Sequence, residues 1–366
     1  MTGHDVAPGV ARRVRHGVRD VVAVALGVAV LVALYSQRGD FTGALHRTMN
    51  ATPGWSAAAV VAEAVSLLAY ALLQGRILAV GGTYPRVREL AAVTMANDAI
   101  ALTVPGEIAF ASLFRYRQYR YWGASEADGA WTVVTLMVAQ AIGLSVLLLM
   151  AVVVSMATAT SVGTAGAAVV GLVVVVSAGV VLTHREVVVR VLDALVRVSR
   201  RVSGHPRGDL AARVASVLED MRRHEMSRHD TVVVVVLALA AWCGDLACLV
   251  SAFAAVGEPV PWHGLLLAYG VAQIVAVLPI VPGGLGLMEG SLAVILVGYG
   301  ASRVAALAAV LVYRLVSYWL AIAVGWSTFA VMVARRRRRR ARRTANDAPV
   351  SLGRVAPPDG PLTEDA

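Results

Sequence analysis

Glu289 stands seven residues after Pro282 in the stretch VLPIVPGGLGLMEG, with Gly283, Gly284 and Gly286 between them. Proline removes a backbone donor and kinks a helix, and glycine lets backbone approach a ligand or a neighbouring helix. An acid in the first turns of the half-helix that follows sees free N–H groups and the positive end of the helix dipole. Two readings stay open for Glu289. It is either an acid that offsets the dipole of its own helix, or a carboxylate in a polar cavity that meets a cation, a proton or a head group. A second, similar set is Pro105, Gly106 and Glu107, with Asn97 and Asp98 one to two turns earlier. Glu63, Asp245 and Arg314 are further charges placed inside apolar runs, with Gln74, Gln140 and Gln273 as polar company. Arg314 lies near the middle of VLVYRLVSYWLA, where an unpaired guanidinium is expensive, so the sequence predicts that it faces the bundle and pairs with Glu289, Asp245 or Glu63.

These residues do not form a recognisable enzyme. The chain has no G-x-S-x-G, no HExxH and no G-x-x-x-x-G-K-[ST], and no soluble segment large enough to hold a separate catalytic site. Cys243 and Cys248 are five apart, off one helix face, and read as small buried hydrophobes. His184, His205, His224 and His229 lack metal-ligand spacing. Neither a metal nor a cofactor is expected.

The elements that must position the charges are membrane helices. Of 366 residues 58% are hydrophobic and only 15% charged, and the mean hydropathy is +0.70. A span needs about 20 apolar residues to cross roughly 30 Å of hydrocarbon, and such runs lie near 18–36, 55–75, 130–158, 163–183, 231–256 and 303–333. Two more apolar stretches, 91–114 and 262–299, are interrupted at Pro105-Gly106 and at Pro279 through Gly286. The first run follows Arg12, Arg13, Arg15 and Arg19 without an A-x-A site after it, and reads as an uncleaved span. All 33 basic residues are arginine, which points to GC-rich bacterial coding more than to chemistry.

Cytoplasmic loops are enriched in basic residues, so the arginines orient the chain. The N-terminus, Arg76 to Arg88, the cluster Arg115, Arg117 and Arg120, the segment 184–229 and the tail ARRRRRRARR place themselves inside. TATSVGTAG at 158–166 and GEPVPWHG at 257–264, both without arginine, place themselves outside. These assignments agree if 91–120 enters and leaves on the cytoplasmic side while 262–300 enters and leaves on the other. The expected fold is therefore an all-α polytopic protein of the cytoplasmic (inner) membrane, with about six full spans, two re-entrant helical hairpins in an inverted repeat, and both termini cytoplasmic. V-P-G at 104–106 and 281–283 is followed in each case by Gly-Ala-Ser, beginning 18 residues after the proline, at 123–125 and 300–302. The organisation reads as a basic N-terminus at 1–17, one repeat over 18–158, a second over 163–333, and a basic, disordered tail over 334–366.

The segment 184–229 reads as two amphipathic helices, striped by Val188, Val191, Leu192 and Leu195 and by Leu210, Val214, Val217, Leu218 and Met221. They suit either a membrane surface or a packed connector. The arginine block after the last span fixes topology and attracts anionic lipid, and nucleic acid is not an expected partner.

LPIVPGGLGLMEG, followed by an apolar stretch, GAS and LVYRLVSYWL, resembles the C-terminal signature of the lysylphosphatidylglycerol synthase transmembrane-region family of flippase-like membrane proteins. LTVPGEIAFASLFRYRQYRYWGAS resembles that family's first hairpin, and the likeness covers roughly 18–333. It points to Pro282, Gly283, Gly284, Gly286 and Glu289 in the second motif, Pro105 and Gly106 in the first, and Arg314 in the last span. The first motif departs from the family's P-G-R-x-G-E: Glu107 and Ala109 replace the basic residue and the glycine, and Phe110 stands where an acid is common. The resemblance implies the translocating half without the aminoacyl transferase domain, so that the lipid is made elsewhere.

The leading expectation is a lipid translocase, in which a polar groove passes the head group of a phospholipid or polyprenyl-linked glycolipid. Glu107, Asp98, Glu289, Asp245 and Arg314 would line the path. The alternatives are a non-transporting scaffold for an envelope lipid-modifying enzyme and, third, a small-solute or ion transporter. Membrane lipid, anionic lipid at the basic segments, a lipid-modifying enzyme and a second copy of the chain are the candidate partners.

Overall fold

The computed structural model describes residues 38–104, 107–156, 226–277 and 282–346, and every element among them is helical. In chain order they are α1 (Arg38–Met49), α2 (Pro53–Val80), α3 (Val87–Thr103), α4 (Glu107–Tyr121), α5 (Glu126–Met156), α6 (Arg228–Ala255), α7 (Trp262–Val277), a 3-10 turn (Pro282–Gly284), α8 (Leu287–Gly298), α9 (Arg303–Arg314), a π-helical turn (Leu315–Leu320) and α10 (Ala321–Asn346). Four helical stretches are long and apolar enough to cross a membrane: Pro53–Val80, Glu126–Val154, Arg228–Ala255 and Arg303–Arg338. They match four of the six runs expected from sequence. The other two, 18–36 and 163–183, lie outside the described residues, as does the amphipathic segment up to residue 225.

The two interrupted stretches are each a pair of short helices that pack on one another, α3 with α4 and α7 with α8. The arms have 17, 15, 16 and 12 residues. At 1.5 Å per residue none exceeds about 26 Å, short of a hydrocarbon core. α3 ends at Val104, directly before Pro105, whose ring disfavours helical backbone in the residue ahead of it.

The recurrent Gly-Ala-Ser has a local structural cause. Gly123 and Gly300 both take φ +97°, a left-handed conformation that costs glycine nothing. Each closes the preceding helix in the same way: Ala124 N donates to Tyr119 O at 3.1 Å, and Ala301 N donates to Leu296 O at 3.1 Å. The serine then caps the next helix. Ser125 Oγ accepts from Asp128 N at 3.0 Å, and Ser302 Oγ accepts from Ala305 N at 3.1 Å. Three residues thus stop one helix and start another, twice.

The centre of the bundle is the pair α2 and α6, each 28 residues long. They run antiparallel. Thr52 N at the start of α2 donates to Ala255 O at the end of α6 (2.8 Å), Ser66 Oγ donates to Ala241 O at mid-length (2.7 Å), and Arg76 near the end of α2 pairs with Asp230 at the start of α6 (2.5 Å). Gly244 makes the crossing close, since a Cβ there would lie 2.8 Å from Ser66 N. Around this pair the packing is reciprocal: α3 lies on α10, in the long helical stretch after the second pair of short helices, and α7 lies on α5, the long helix after the first pair.

The arginine block departs from the expected disordered tail. Residues 334–346 continue α10. Arginine is a good helix former, and cations near a helix C-terminus are favoured by the dipole. Arg336 also hydrogen-bonds Gln118 of α4 and lies over the Tyr121 ring, 4.1 Å from its centroid.

Candidate functional site

The two broken helices meet at Gly283. Its φ is +62°, and a Cβ there would lie 2.4 Å from the Tyr318 ring and 3.1 Å from Leu102 O. Leu102 belongs to the last turn of α3, and its carbonyl accepts from Tyr318 Oη at 3.2 Å. Tyr318, in the π-helical turn, therefore ties the first break to the second.

Arg314 is 6% exposed. Its Nε donates to Glu289 Oε1 at 2.5 Å, its Nη2 donates to Gly283 O at 3.0 Å, Nη1 lies 3.4 Å from Met288 Sδ, and the guanidinium covers the Tyr318 ring at 4.4 Å. Glu289 does two jobs at once. Oε2 accepts from Gly286 N at 2.6 Å, closing the start of α8, while Oε1 carries the arginine. The contact through Oε2 is that of an acid at the start of its own helix, and the contact through Oε1 is the ion pair expected for Arg314.

Beside Arg314 lies a cavity of about 350 Å³, walled by α2, α3, α5, α6, α7, α9 and the turns at Gly283 and Ser317. Glu63, Asp98, Asp245 and Arg314 line it, with Gln140, Gln273, Tyr70, Trp242, Tyr313 and Ser317. Asp245 is fully engaged: Oδ2 accepts from Tyr269 Oη (2.5 Å) and Gln273 Nε2 (2.9 Å), and Tyr313 Oη lies 3.0 Å from both oxygens. Asp98 faces Arg115 at 3.9 Å, and Arg115 lies over the Tyr70 ring at 5.0 Å. Three polar atoms of the lining, Glu63 Oε2, Gln140 Nε2 and Ser317 Oγ, are buried and have no hydrogen-bond partner among the described residues. Leaving such atoms unpaired costs about 1–3 kcal/mol each, so this surface suits a polar occupant.

Much of the lining comes in pairs at one sequence offset. Ser66 and Ala241, Leu67 and Trp242, Tyr70 and Asp245, Asp98 and Gln273, and Ala101 and Ala276 are all separated by 175 residues, and Gln140 and Ser317 by 177. The cavity is thus lined largely by residues from two stretches of the chain at a near-constant offset.

The sequence-selected residues divide accordingly. Asp98, Asp245, Gly283 and Arg314 border the cavity, whereas Glu289 is held behind Arg314 and does not line it. Pro282 opens the 3-10 turn, Gly284 faces the α7 backbone at Ala276, and Gly286 caps α8. Glu107 begins α4, but its side chain lies outside the described set, as do Pro105 and Gly106. Gln74 serves elsewhere: it accepts from Tyr119 Oη (2.7 Å) and donates to Thr94 Oγ1 (3.3 Å), tying α2, α3 and α4 together. Among the described residues no three His, Cys, Asp or Glu side chains converge in a way that could hold a metal.

Sequence reasoning missed Tyr70, Trp242, Tyr269, Tyr313, Ser317 and the inward role of Arg115. Arg115 stood among three arginines that read as a cytoplasmic cluster, yet its side chain is only 12% exposed. A tyrosine in an apolar helix needs a partner for its hydroxyl, and that was the available signal for Tyr269 and Tyr313.

Comparison with known proteins places the chain in a family. A family model described as Lysylphosphatidylglycerol synthase TM region matches residues 21–325. A UPF0104 membrane protein of Methanothermobacter thermautotrophicus is 31% identical over 93 residues, which is 25% of this chain. The match spans 28% of that relative's length.

Proposed function

We propose, from the premise that this chain belongs to the family of the lysylphosphatidylglycerol synthase TM region, that it moves the polar head group of a membrane lipid across the bilayer through the central cavity. One observation carries this reading: a cavity lined by charged and unpaired polar atoms, bordered by both helix breaks, inside an otherwise apolar helical bundle. Irregular backbone at membrane depth is tolerated where it is buried in protein or lines a polar cavity. Charges there mark substrate paths.

The two halves are read as an inverted repeat, supported by the antiparallel α2 and α6, the identical helix ends at Gly123 and Gly300, and the paired lining. In such an arrangement the substrate site sits at the repeat interface, and rocking one half against the other exposes it to each side in turn. The head group of a phospholipid or polyprenyl-linked glycolipid would meet Arg314 with its phosphate, and Asp98, Gln140 and Ser317 with its hydroxyl or amino groups. The tails would stay in the bilayer. Arg314 is positioned for this by Glu289 and Gly283 O.

The test is head-group translocation in proteoliposomes made with native lipid extract, comparing the wild type with Glu289→Gln and Arg314→Gln variants that remain monodisperse in detergent. Translocation by the wild type and its loss in folded variants supports the reading. Equal inactivity of all three overturns it and favours the scaffold alternative.

A further inference from the structure

The carboxyl pair of Glu63 and Asp245 takes no part in the ion pair of Arg314 with Glu289. The two side chains come within hydrogen-bonding reach of each other across the α2–α6 interface, on the cavity wall. Asp245 already accepts from Tyr269, Gln273 and Tyr313. A carboxylate has no proton to give. Glu63 gains nothing from Asp245 unless one of the two carries a proton, and Glu63 Oε2 is a buried atom with no other partner. The groups facing it are Asp245 and Cys248 of α6, Asp98 of α3, Tyr313 and Arg314 of α9, and, through Asp245, Tyr269 of α7. Arg314 is occupied by Glu289, and Asp98 faces Arg115. No cation among the described residues is left to neutralise Glu63.

The pair also breaks the symmetry of the lining. At the offset of 175 that relates five pairs of the lining, Glu63 corresponds to Ala238 and Asp245 to Tyr70, so neither acid faces a matching acid. Gln140 Nε2 and Ser317 Oγ, on the same wall, are buried and unpartnered as well, and this is independent evidence that the cavity holds polar matter beside the pair.

We propose that Glu63 and Asp245 form a proton-binding pair that couples head-group movement to a proton gradient. This rests on the translocase reading above. A proton enters from water on one side, binds Glu63 Oε2 and closes the contact with Asp245, which stays the acceptor of its three donors. When the cavity faces the other side the proton leaves to water there, so one proton crosses per cycle and no bond in the lipid changes. A metal cation is a poorer fit, because the oxygens of Asp245 would have to give up phenol and amide donors to ligate it.

Two measurements on the full chain test the pair. In vesicles of native lipid extract containing head-group-labelled phosphatidylglycerol, an imposed pH gradient should shift the leaflet distribution by up to about tenfold per pH unit for one proton per cycle. In Glu63→Gln whatever movement of the probe remains should ignore the gradient. Retained pH dependence in Glu63→Gln, or a sodium gradient that drives the wild type equally well, overturns the proposal. Infrared difference spectra between acid and alkaline buffer, in lipid nanodiscs, should show a protonated-carboxyl band that Glu63→Gln removes and Asp98→Asn keeps, and the absence of this band also overturns it. If the band is present but the wild type moves no lipid, the pair's proton binding stands and the translocase reading falls.

Discussion

Arg314 Nε and Glu289 Oε1 lie 2.5 Å apart, joining the helix that starts after the second break to the last membrane helix. The guanidinium is buried, and its other contacts are a backbone carbonyl, a thioether and an aromatic face. Removing one partner of such a pair strands a charge, whereas replacing both with apolar groups of similar volume can be nearly neutral. Glu289→Gln is therefore expected to lower stability by about 3 kcal/mol. Glu289→Gln with Arg314→Met should recover most of that loss without recovering translocation. Thermal unfolding in detergent of the two single variants and the double variant measures the coupling.

Gly283 and Gly290 should respond in opposite ways to the same change. Gly283→Ala drives a methyl into Tyr318 and Leu102 O from a left-handed backbone, and the expected cost is about 2–4 kcal/mol. Gly290 lies inside α8 with open space where a Cβ would go. Gly290→Ala should be neutral, or stabilising by up to about 1 kcal/mol through helix propensity. Unfolding midpoints of the two variants give the comparison, and equal destabilisation would argue against the close meeting of the two breaks.

Gln74 offers a control for function. Gln74→Leu leaves the buried Tyr119 hydroxyl without its acceptor, at a cost of about 1–3 kcal/mol. It removes nothing that lines the cavity. The variant should melt earlier yet translocate normally below its melting point. Loss of transport in a folded Gln74→Leu protein would mean that the α2–α3–α4 junction moves during the cycle.

Opposed orientation of the two halves is testable by labelling. Ser125 and Ser302 are exposed and occupy matching caps. With Cys243 and Cys248 replaced by alanine, single cysteines at 125 and 302 should react with a membrane-impermeant maleimide from opposite faces of sealed vesicles. Reaction of both from one face would remove the inverted repeat.

Some of this was legible because the chemistry is local. A proline with three glycines breaks a helix wherever it stands, Gly-Ala-Ser ends one helix and caps the next through bonds spanning five residues, and long uncharged runs become membrane helices by length alone. The demand that Arg314 find an acid was also readable, since a lone guanidinium in an apolar span is too costly. The arginine block was misread because arginine content speaks of charge and solvation, while its helix propensity and the contacts of Arg336 with Gln118 and Tyr121 extend α10 through it.

The sequence by itself determined that the protein is an all-helical membrane protein, where its helices break, and which side chains are too polar for their surroundings. Only the tertiary structure decided which of them share a cavity. Helices that are apolar around most of their circumference carry no stripe to tell inside from outside, so the facing of Glu63 and Asp245 is set by the antiparallel crossing of α2 and α6 at Ser66 and Gly244. That same crossing leaves Asp245 among three donors and Gln74 in a separate network, although both read as polar residues in apolar runs.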